Sequence, residues 1–104
     1  MWKQKIGISI VNDFKIPTVD AVKMLKRVGF DAISPEWTTN GDLFEIAKAA
    51  KENGLCIQSL HAPFDKAADM WSREPSVCDP VRKELFYLID SCSRFQIPIL
   101  VVHT

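Results

Sequence analysis

The sequence carries no net charge, because 13 Lys and Arg residues balance 13 Asp and Glu residues in a chain of 104. Without excess positive charge it has no general attraction for a nucleic-acid backbone or an anionic membrane surface. It also lacks the run of about 20 apolar residues that a membrane-spanning helix requires. The short apolar run behind Met1–Lys5 does not have the form of a secretory signal. We therefore expect neither nucleic acid nor a membrane as a partner.

Cysteine is scarce as well, with only Cys56, Cys78 and Cys92 in the chain. An odd number at unrelated spacings is typical of neither a disulfide framework nor a zinc-binding module, so the sequence favours a reducing, cytoplasmic location. Cys56 and Cys92 lie in apolar patterns and are predicted to be buried, whereas Cys78 lies in a polar segment and is predicted to be exposed. The sequence also has no phosphate-binding loop, nucleophile elbow or dinucleotide fingerprint.

What the sequence does contain is an ordinary globular composition, with 47% hydrophobic and 25% charged residues. Its length suits one domain, residues 1–104. Four short apolar runs are predicted to be strands, and their near-continuous Val, Ile and Leu content indicates burial on both faces, as in a parallel sheet covered by helices. These runs are Ile6–Val11, Phe30–Ser34, Leu55–Leu60 and Ile99–Val102.

Helical patterns separate the strands. Thr18 is predicted to cap the first helix and Gly29 to end it, while the second follows a turn at Thr38–Gly41 and ends at Gly54. Asp79–Pro80 has the form of a third helix start, a capping side chain followed by proline. The order is β-α-β-α-β-α-β, an α/β fold in which the carboxyl ends of the strands meet at one edge. The apolar stripe of the third helix is Val81, Leu85, Leu88, Cys92 and Phe95.

Both histidines of the chain follow predicted strands directly, His61 after the third and His103 after the fourth. Glu36 follows the second strand. Neighbouring strands lie about 4.8 Å apart, so these side chains are expected at one cavity. Two imidazoles and a carboxylate suit part of the ligand shell of a divalent metal, or hydrogen bonds to polyol hydroxyls. A histidine at a strand end also serves simply as a polar cap on the sheet, and this alternative stays open.

The polar segment Asp65–Cys78 is the longest connection between a strand and a helix, and we interpret it as a lid or a substrate-contacting loop. Trp71 within it and Trp37 beside Glu36 are candidates for stacking on a sugar face. Either indole serves equally well to pack a loop against the scaffold.

The segments Ser59–Phe64, Leu100–His103, Lys5–Ser9 and Gly29–Ile33 together resemble the xylose isomerase-like TIM-barrel superfamily. That superfamily includes sugar phosphate isomerases and epimerases and apurinic-site endonucleases. The resemblance covers essentially the whole chain and implies the N-terminal half of a barrel, three β-α units followed by a fourth strand. Glu36 is similar to the strand-end glutamate of the family.

By this resemblance the complete barrel is a divalent-metal-dependent isomerase or epimerase acting on a sugar or sugar phosphate, with zinc or manganese as its metal. His61 and His103 lie beside the substrate, and in the endonuclease branch their counterparts bind zinc. The catalytic residues of strands five to eight have no counterpart here. The sequence therefore leaves two hypotheses, a partial isomerase that needs a C-terminal half and a half-barrel that self-associates into an eight-stranded homodimer or binds another chain. A flavodoxin-like binding module is a weaker alternative, because Asn12–Lys15 does not resemble a phosphate-binding loop.

Overall fold

The computed structural model describes residues 3–10, 15–37 and 43–103 of the chain. Residues 12–14, the predicted turn at 38–41 and the terminal Thr104 lie outside the described residues, as does Val11 at the end of the first predicted strand.

Five short strands are described, all of them paired in parallel. A three-stranded sheet has the order β1-β2-β3, and a second sheet pairs β4 with β5. An isolated parallel bridge between Glu36 and His61 connects the two sheets, since it continues β2 alongside β4. The prediction of an α/β fold with parallel strands is therefore confirmed. The strands are β1 Gly7–Ile10, β2 Ala32–Pro35, β3 Cys56–Ile57, β4 Leu60–His61 and β5 Leu100–Val101.

The third predicted strand, Leu55–Leu60, is not continuous, and this part of the prediction was wrong. It is interrupted at Gln58 and Ser59, whose side chains both donate hydrogen bonds to the Ser34 hydroxyl, at 2.9 and 2.8 Å. Before the break the backbone pairs with β2, and after it the pairing passes to β5. Gln58 and Ser59 are adjacent, and both side chains bond to the same Ser34 hydroxyl in the interior. These two bonds account for the interruption.

The helices are α1 Thr18–Arg27, α2 Leu43–Glu52 and α3 Pro75–Arg94, and a short 3₁₀-helix spans Ala67–Trp71. Thr18 was predicted to cap α1, but it is the first helical residue. Pro17 occupies the N-cap position and has no side-chain donor or acceptor to offer. Its carbonyl oxygen accepts the backbone N–H of Ala21 at 3.0 Å, which closes the first turn.

All three helices end in the same way. The residue after each C-cap takes a positive φ, at Gly29 (105°), Gly54 (67°) and Gln96 (57°). The next residue is apolar and donates its N–H back to a carbonyl in the last helical turn, which is the Schellman motif. The predicted ends at the two glycines are thereby confirmed, and each motif turns the chain toward the strand that follows. The three closing bonds run from Phe30 to Leu25, from Leu55 to Ala50 and from Ile97 to Cys92, at 3.1, 2.9 and 2.8 Å.

Helix α3 begins earlier than the sequence predicted. Pro75, not Pro80, occupies the first helical position, with Glu74 as the N-cap residue, and Pro80 lies inside the helix. A proline at the first position sacrifices no hydrogen bond, because the N–H there has no helical partner in any case. The early start also corrects the prediction for Cys78, which is buried against the scaffold, not exposed in a loop.

The core consists of two clusters of apolar side chains. The first lies between α1, α2 and the three-stranded sheet, and the second lies beneath α3 beside β4 and β5. Cys92 is buried in the second cluster, as predicted, whereas the predicted burial of Cys56 was wrong because its side chain is exposed. The fully enclosed side chains that centre these clusters are Val22, Ile33, Leu60 and Leu88.

Candidate functional site

The two histidines meet at the carboxyl ends of β4 and β5. His61 is the last residue of β4, and His103 lies two residues beyond the end of β5. Their Nε2 atoms are 2.7 Å apart and their ring centroids 4.7 Å apart. The parallel pairing of Leu60 with Leu100 and of His61 with Val101 sets this approach, since it brings both segments to the same edge. The structure thus brings the two imidazoles together at this edge, although neither His61 nor His103 lines the cavities beside Phe44 and beside Met70.

The hydrogen bonds assign the tautomers of the pair. His61 Nδ1 lies 2.7 Å from the carbonyl oxygen of Ala62, which only accepts, so Nδ1 carries the proton. In the neutral ring Nε2 of His61 is then an acceptor, and the proton between the rings belongs to Nε2 of His103. A ring nitrogen bonded to a backbone carbonyl fixes the orientation of the imidazole and leaves the opposite nitrogen for a ligand.

Phe64 completes this group of rings. Its centroid lies 4.3 Å from that of His61 and 4.5 Å from that of His103, and its side chain remains 54% exposed. Phe64 was not predicted as a site residue, although it lies in the segment Ser59–Phe64 that resembles the superfamily. The feature that could have indicated Phe64 is its place in the sequence, three positions after the strand-end His61 and directly after Pro63. We refer to His61, Phe64 and His103 together as the imidazole site.

Glu36 is adjacent to the imidazole site through its backbone. It forms the parallel bridge with His61, and the backbone N–H of the next residue, Trp37, donates to the His61 carbonyl oxygen at 2.7 Å. In the part of the chain that the structure describes, no hydrogen bond joins the Glu36 carboxylate to either imidazole. The structure therefore places Glu36 beside the pair without including its side chain in the contact.

The two candidate tryptophans are placed differently. Trp37 packs against the second core cluster, with its ring edge toward Tyr87 at a centroid distance of 5.6 Å. Its indole Nε1 is buried and has no hydrogen-bond partner among the described residues. Trp71 ends the 3₁₀-helix with its side chain 66% exposed. Trp71 is therefore the more exposed of the two, since Trp37 is partly buried. Trp71 belongs to the 3₁₀-helix, which lies within the segment Asp65–Cys78 that was interpreted as a lid. This 3₁₀-helix packs on α3.

The fit of a metal ion to these residues is incomplete. Within residues 3–10, 15–37 and 43–103, no group of three or more His, Cys, Asp or Glu side chains is arranged to hold one. Two nitrogens bound to one tetrahedral zinc ion lie about 3.4 Å apart, given Zn–N bonds of about 2.1 Å. The 2.7 Å between His61 and His103 is a hydrogen-bond distance. The described pair supplies two ligands at most.

No protein-family model matches the sequence, and a search of curated proteins finds no match. None of the helices in the described ranges is long and apolar enough to cross a bilayer.

Proposed function

We propose that the chain is the N-terminal half of a sugar or sugar phosphate isomerase or epimerase barrel, and that the imidazole site is the part of the substrate site this half provides. The observation that carries the proposal is the 2.7 Å contact between the Nε2 atoms of His61 and His103 at the carboxyl edge of parallel strands. In α/β barrels this edge carries the catalytic loops.

The chemistry of the pair supports a polyol ligand. A sugar hydroxyl both donates and accepts, and the assigned tautomers present an acceptor on His61 and a donor on His103. A substrate that inserts between the rings exchanges the inter-ring hydrogen bond for two of its own. The exposed face of Phe64 offers an apolar surface beside them, of the kind on which the C–H face of a sugar packs.

Proton transfer next to a sugar carbonyl is the step expected of such a site. An imidazole offers both a proton donor and a proton acceptor, so His61 and His103 are suited to pass protons to and from adjacent oxygens. A divalent metal such as zinc or manganese, bound in the complete barrel, would polarise the carbonyl. Its remaining ligands would come from outside the described residues.

The test is a titration of the isotope-labelled chain with an aldopentose and with its 5-phosphate, followed through the imidazole ¹⁵N signals. We expect the signals of both histidines to shift together with one dissociation constant, in the millimolar range of about 1–10 mM for a half-site. His103→Gln retains a side-chain N–H donor and should preserve weaker binding, whereas His103→Ala should lose it. Imidazole signals that stay unmoved at about 50 mM sugar would contradict the proposal.

A parallel titration with zinc and manganese tests the metal, including the zinc site implied by the likeness to apurinic-site endonucleases. His61→Ala should abolish any binding that involves the pair. Cys56→Ser is the matched control, because Cys56 is an exposed thiol and an alternative zinc ligand. Binding that survives in His61→Ala and disappears in Cys56→Ser would exclude the histidines as ligands.

Self-association is the second candidate function, and the edge strand β5 favours it. In the described sheets β5 has one neighbour, β4, and the flanking residues Ile99 and Val102 are exposed. An unpaired apolar edge is a template for a second strand. Light scattering over a concentration series should show a dimer that Ile99→Lys dissociates. Ile89→Lys, at an exposed isoleucine on α3, is the control and should leave it intact. A monomer at about 1 mM would rule this candidate out.

A further inference from the structure

A cavity of about 590 Å³ opens between α2 and the C-terminal end of α3, with β3 in its wall. Its lining contains none of the imidazole-site residues His61, Phe64 and His103. The volume lies within the range of roughly 300–1,000 Å³ that is usual for small-molecule sites. The cavity is thus large enough for a ligand of its own, separate from the proposed sugar site.

The charged side chains that line this cavity are positive. Lys48 and Lys51 line it from α2 and Arg94 from the last turn of α3, while no acidic side chain is among the described residues that line it. Within the described ranges none of these three cations has a carboxylate oxygen within 4.0 Å. Three cations around one concave surface produce a positive potential that attracts anions.

The remaining lining is apolar. Phe44 and Phe95 approach edge to face, with ring centroids 6.4 Å apart and planes at 62°. Phe44 is nevertheless 63% exposed, so much of its ring faces open space. Leu55 and Ile57 add aliphatic surface next to the exposed thiol of Cys56. A ligand that covers these rings gains roughly 25 cal/mol for each Å² of apolar surface removed from water.

We propose that this cavity binds a phosphomonoester attached to an apolar body, such as an aryl or alkyl phosphate. The phosphate would lie among Lys48, Lys51 and Arg94, and the apolar body against Phe44 and Phe95. A phosphomonoester carries a charge between about −1.5 and −2 at neutral pH, which matches three cations better than the single charge of a carboxylate. The guanidinium of Arg94 presents its N–H groups in a fork that suits two phosphate oxygens.

Cys56 supplies a direct readout, because it lines the cavity and is exposed, whereas Cys78 and Cys92 are buried. The experiment measures the rate at which iodoacetamide, an uncharged reagent, alkylates Cys56 in the presence of 1-naphthyl phosphate. We expect saturating 1-naphthyl phosphate, at about 1 mM, to slow the reaction at least fivefold. Alkylation of Cys78 or Cys92 would report unfolding, and the rate at these two thiols should stay near zero.

Three comparison ligands separate the charge from the apolar body. Neither 1-naphthol nor inorganic phosphate should slow alkylation as much as twofold at the same concentration, and 1-naphthoate should protect less than 1-naphthyl phosphate. Equal protection by 1-naphthol would overturn the proposal, since it would reduce the cavity to an apolar surface. Phosphatidylcholine vesicles containing phosphatidic acid identify the natural source. Protection by the vesicles points to a lipid headgroup, and protection by the soluble ester alone points to a free phosphomonoester.

Paired charge variants test the residues. Lys48→Gln/Lys51→Gln should raise the dissociation constant of 1-naphthyl phosphate about tenfold, a loss of about 1.4 kcal/mol. Lys23→Gln/Lys83→Gln removes two lysines that do not line the cavity and should change it less than twofold. Both variants alter the net charge equally, so a similar loss in both would overturn the assignment. His61→Ala should leave 1-naphthyl phosphate binding intact, which keeps this proposal distinguishable from the sugar site.

Discussion

His103 donates a hydrogen bond from Nε2 to Nε2 of His61, and the two atoms are 2.7 Å apart. His61 is the acceptor because its ring proton is on Nδ1, where it is donated to the Ala62 carbonyl oxygen. The contact connects residues 42 positions apart in the sequence. It depends on the parallel register of β4 and β5, in which His61 is paired with Val101, two residues before His103. The two imidazoles therefore form one hydrogen-bonded unit and not two independent polar caps.

The first prediction concerns the tautomers. In long-range ¹H–¹⁵N spectra at mildly alkaline pH, neutral His61 should carry its proton on Nδ1 and neutral His103 on Nε2. In His103→Ala the His61 ring should retain the Nδ1–H form, since the bond to Ala62 remains. Two histidines that both show the Nε2–H form would disprove the assigned hydrogen-bond direction.

The second prediction concerns Gln96, the only described non-glycine residue with a positive φ. A left-handed conformation costs an L-residue roughly 1–2 kcal/mol, and glycine avoids this cost. Gln96→Gly should therefore increase the free energy of unfolding by about 1 kcal/mol. Urea unfolding followed by circular dichroism measures this change in the free energy of unfolding.

Gly29→Ala is the opposite change at the corresponding position of α1. A Cβ at Gly29 meets no atom within 4 Å, so its effect comes from the backbone and not from a clash. It should lower the free energy of unfolding by about 1 kcal/mol. If both variants shift stability in the same direction, the positive φ at Gln96 is not the source of the effect.

Gln96 also shows where sequence reasoning reaches its limit. Gly29 and Gly54 were readable as helix ends, because glycine signals a left-handed residue by its type. Glutamine carries no such signal, so the residue type at position 96 did not predict the matching end of α3. The start of α3 was misplaced because Asp79 before Pro80 is a strong capping signal, whereas Glu74 before Pro75 makes no side-chain cap.

The candidate site was likewise predictable from the sequence only in part. The positions of His61 and His103 after apolar strands predicted their meeting, because parallel strands bring their carboxyl ends to one edge. The break at Gln58 and Ser59 was not predictable, since it depends on a hydroxyl 25 residues away at Ser34. The ring of Phe64 was missed because aromatic residues after strands are most often core.

The third prediction tests the second core cluster. Leu88 is fully buried on the inner side of α3, whereas its neighbour Ile89 is 52% exposed on the same helix. Leu88→Ala removes buried methyl groups and leaves a cavity, which should cost about 3 kcal/mol of the free energy of unfolding. Ile89→Ala removes a side chain of the same size from the surface and should cost less than about 1 kcal/mol. Equal losses in chemical denaturation would mean that α3 does not cover this cluster.

The fourth prediction is a pH dependence that arises from Cys92. Burial in the second core cluster raises the pKa of this thiol, because the thiolate is poorly solvated there. Below the pKa of an unfolded cysteine, about 8.5, both states keep the proton and the thiol adds no pH dependence. Above that value the unfolded chain releases a proton that the folded chain retains, so unfolding becomes easier as the pH rises.

Under reducing conditions the free energy of unfolding should therefore fall from pH 8 to pH 10 more steeply in the natural chain than in Cys92→Ala. Other titrating groups are common to both proteins and cancel in the difference between the two slopes. Cys56→Ala is the matched control, because its thiol is exposed and should follow the natural chain. If Cys92→Ala keeps the full slope, a different group governs the alkaline loss of stability. If Cys56→Ala also reduces the slope, burial of the Cys92 thiol is not the cause of the alkaline loss of stability.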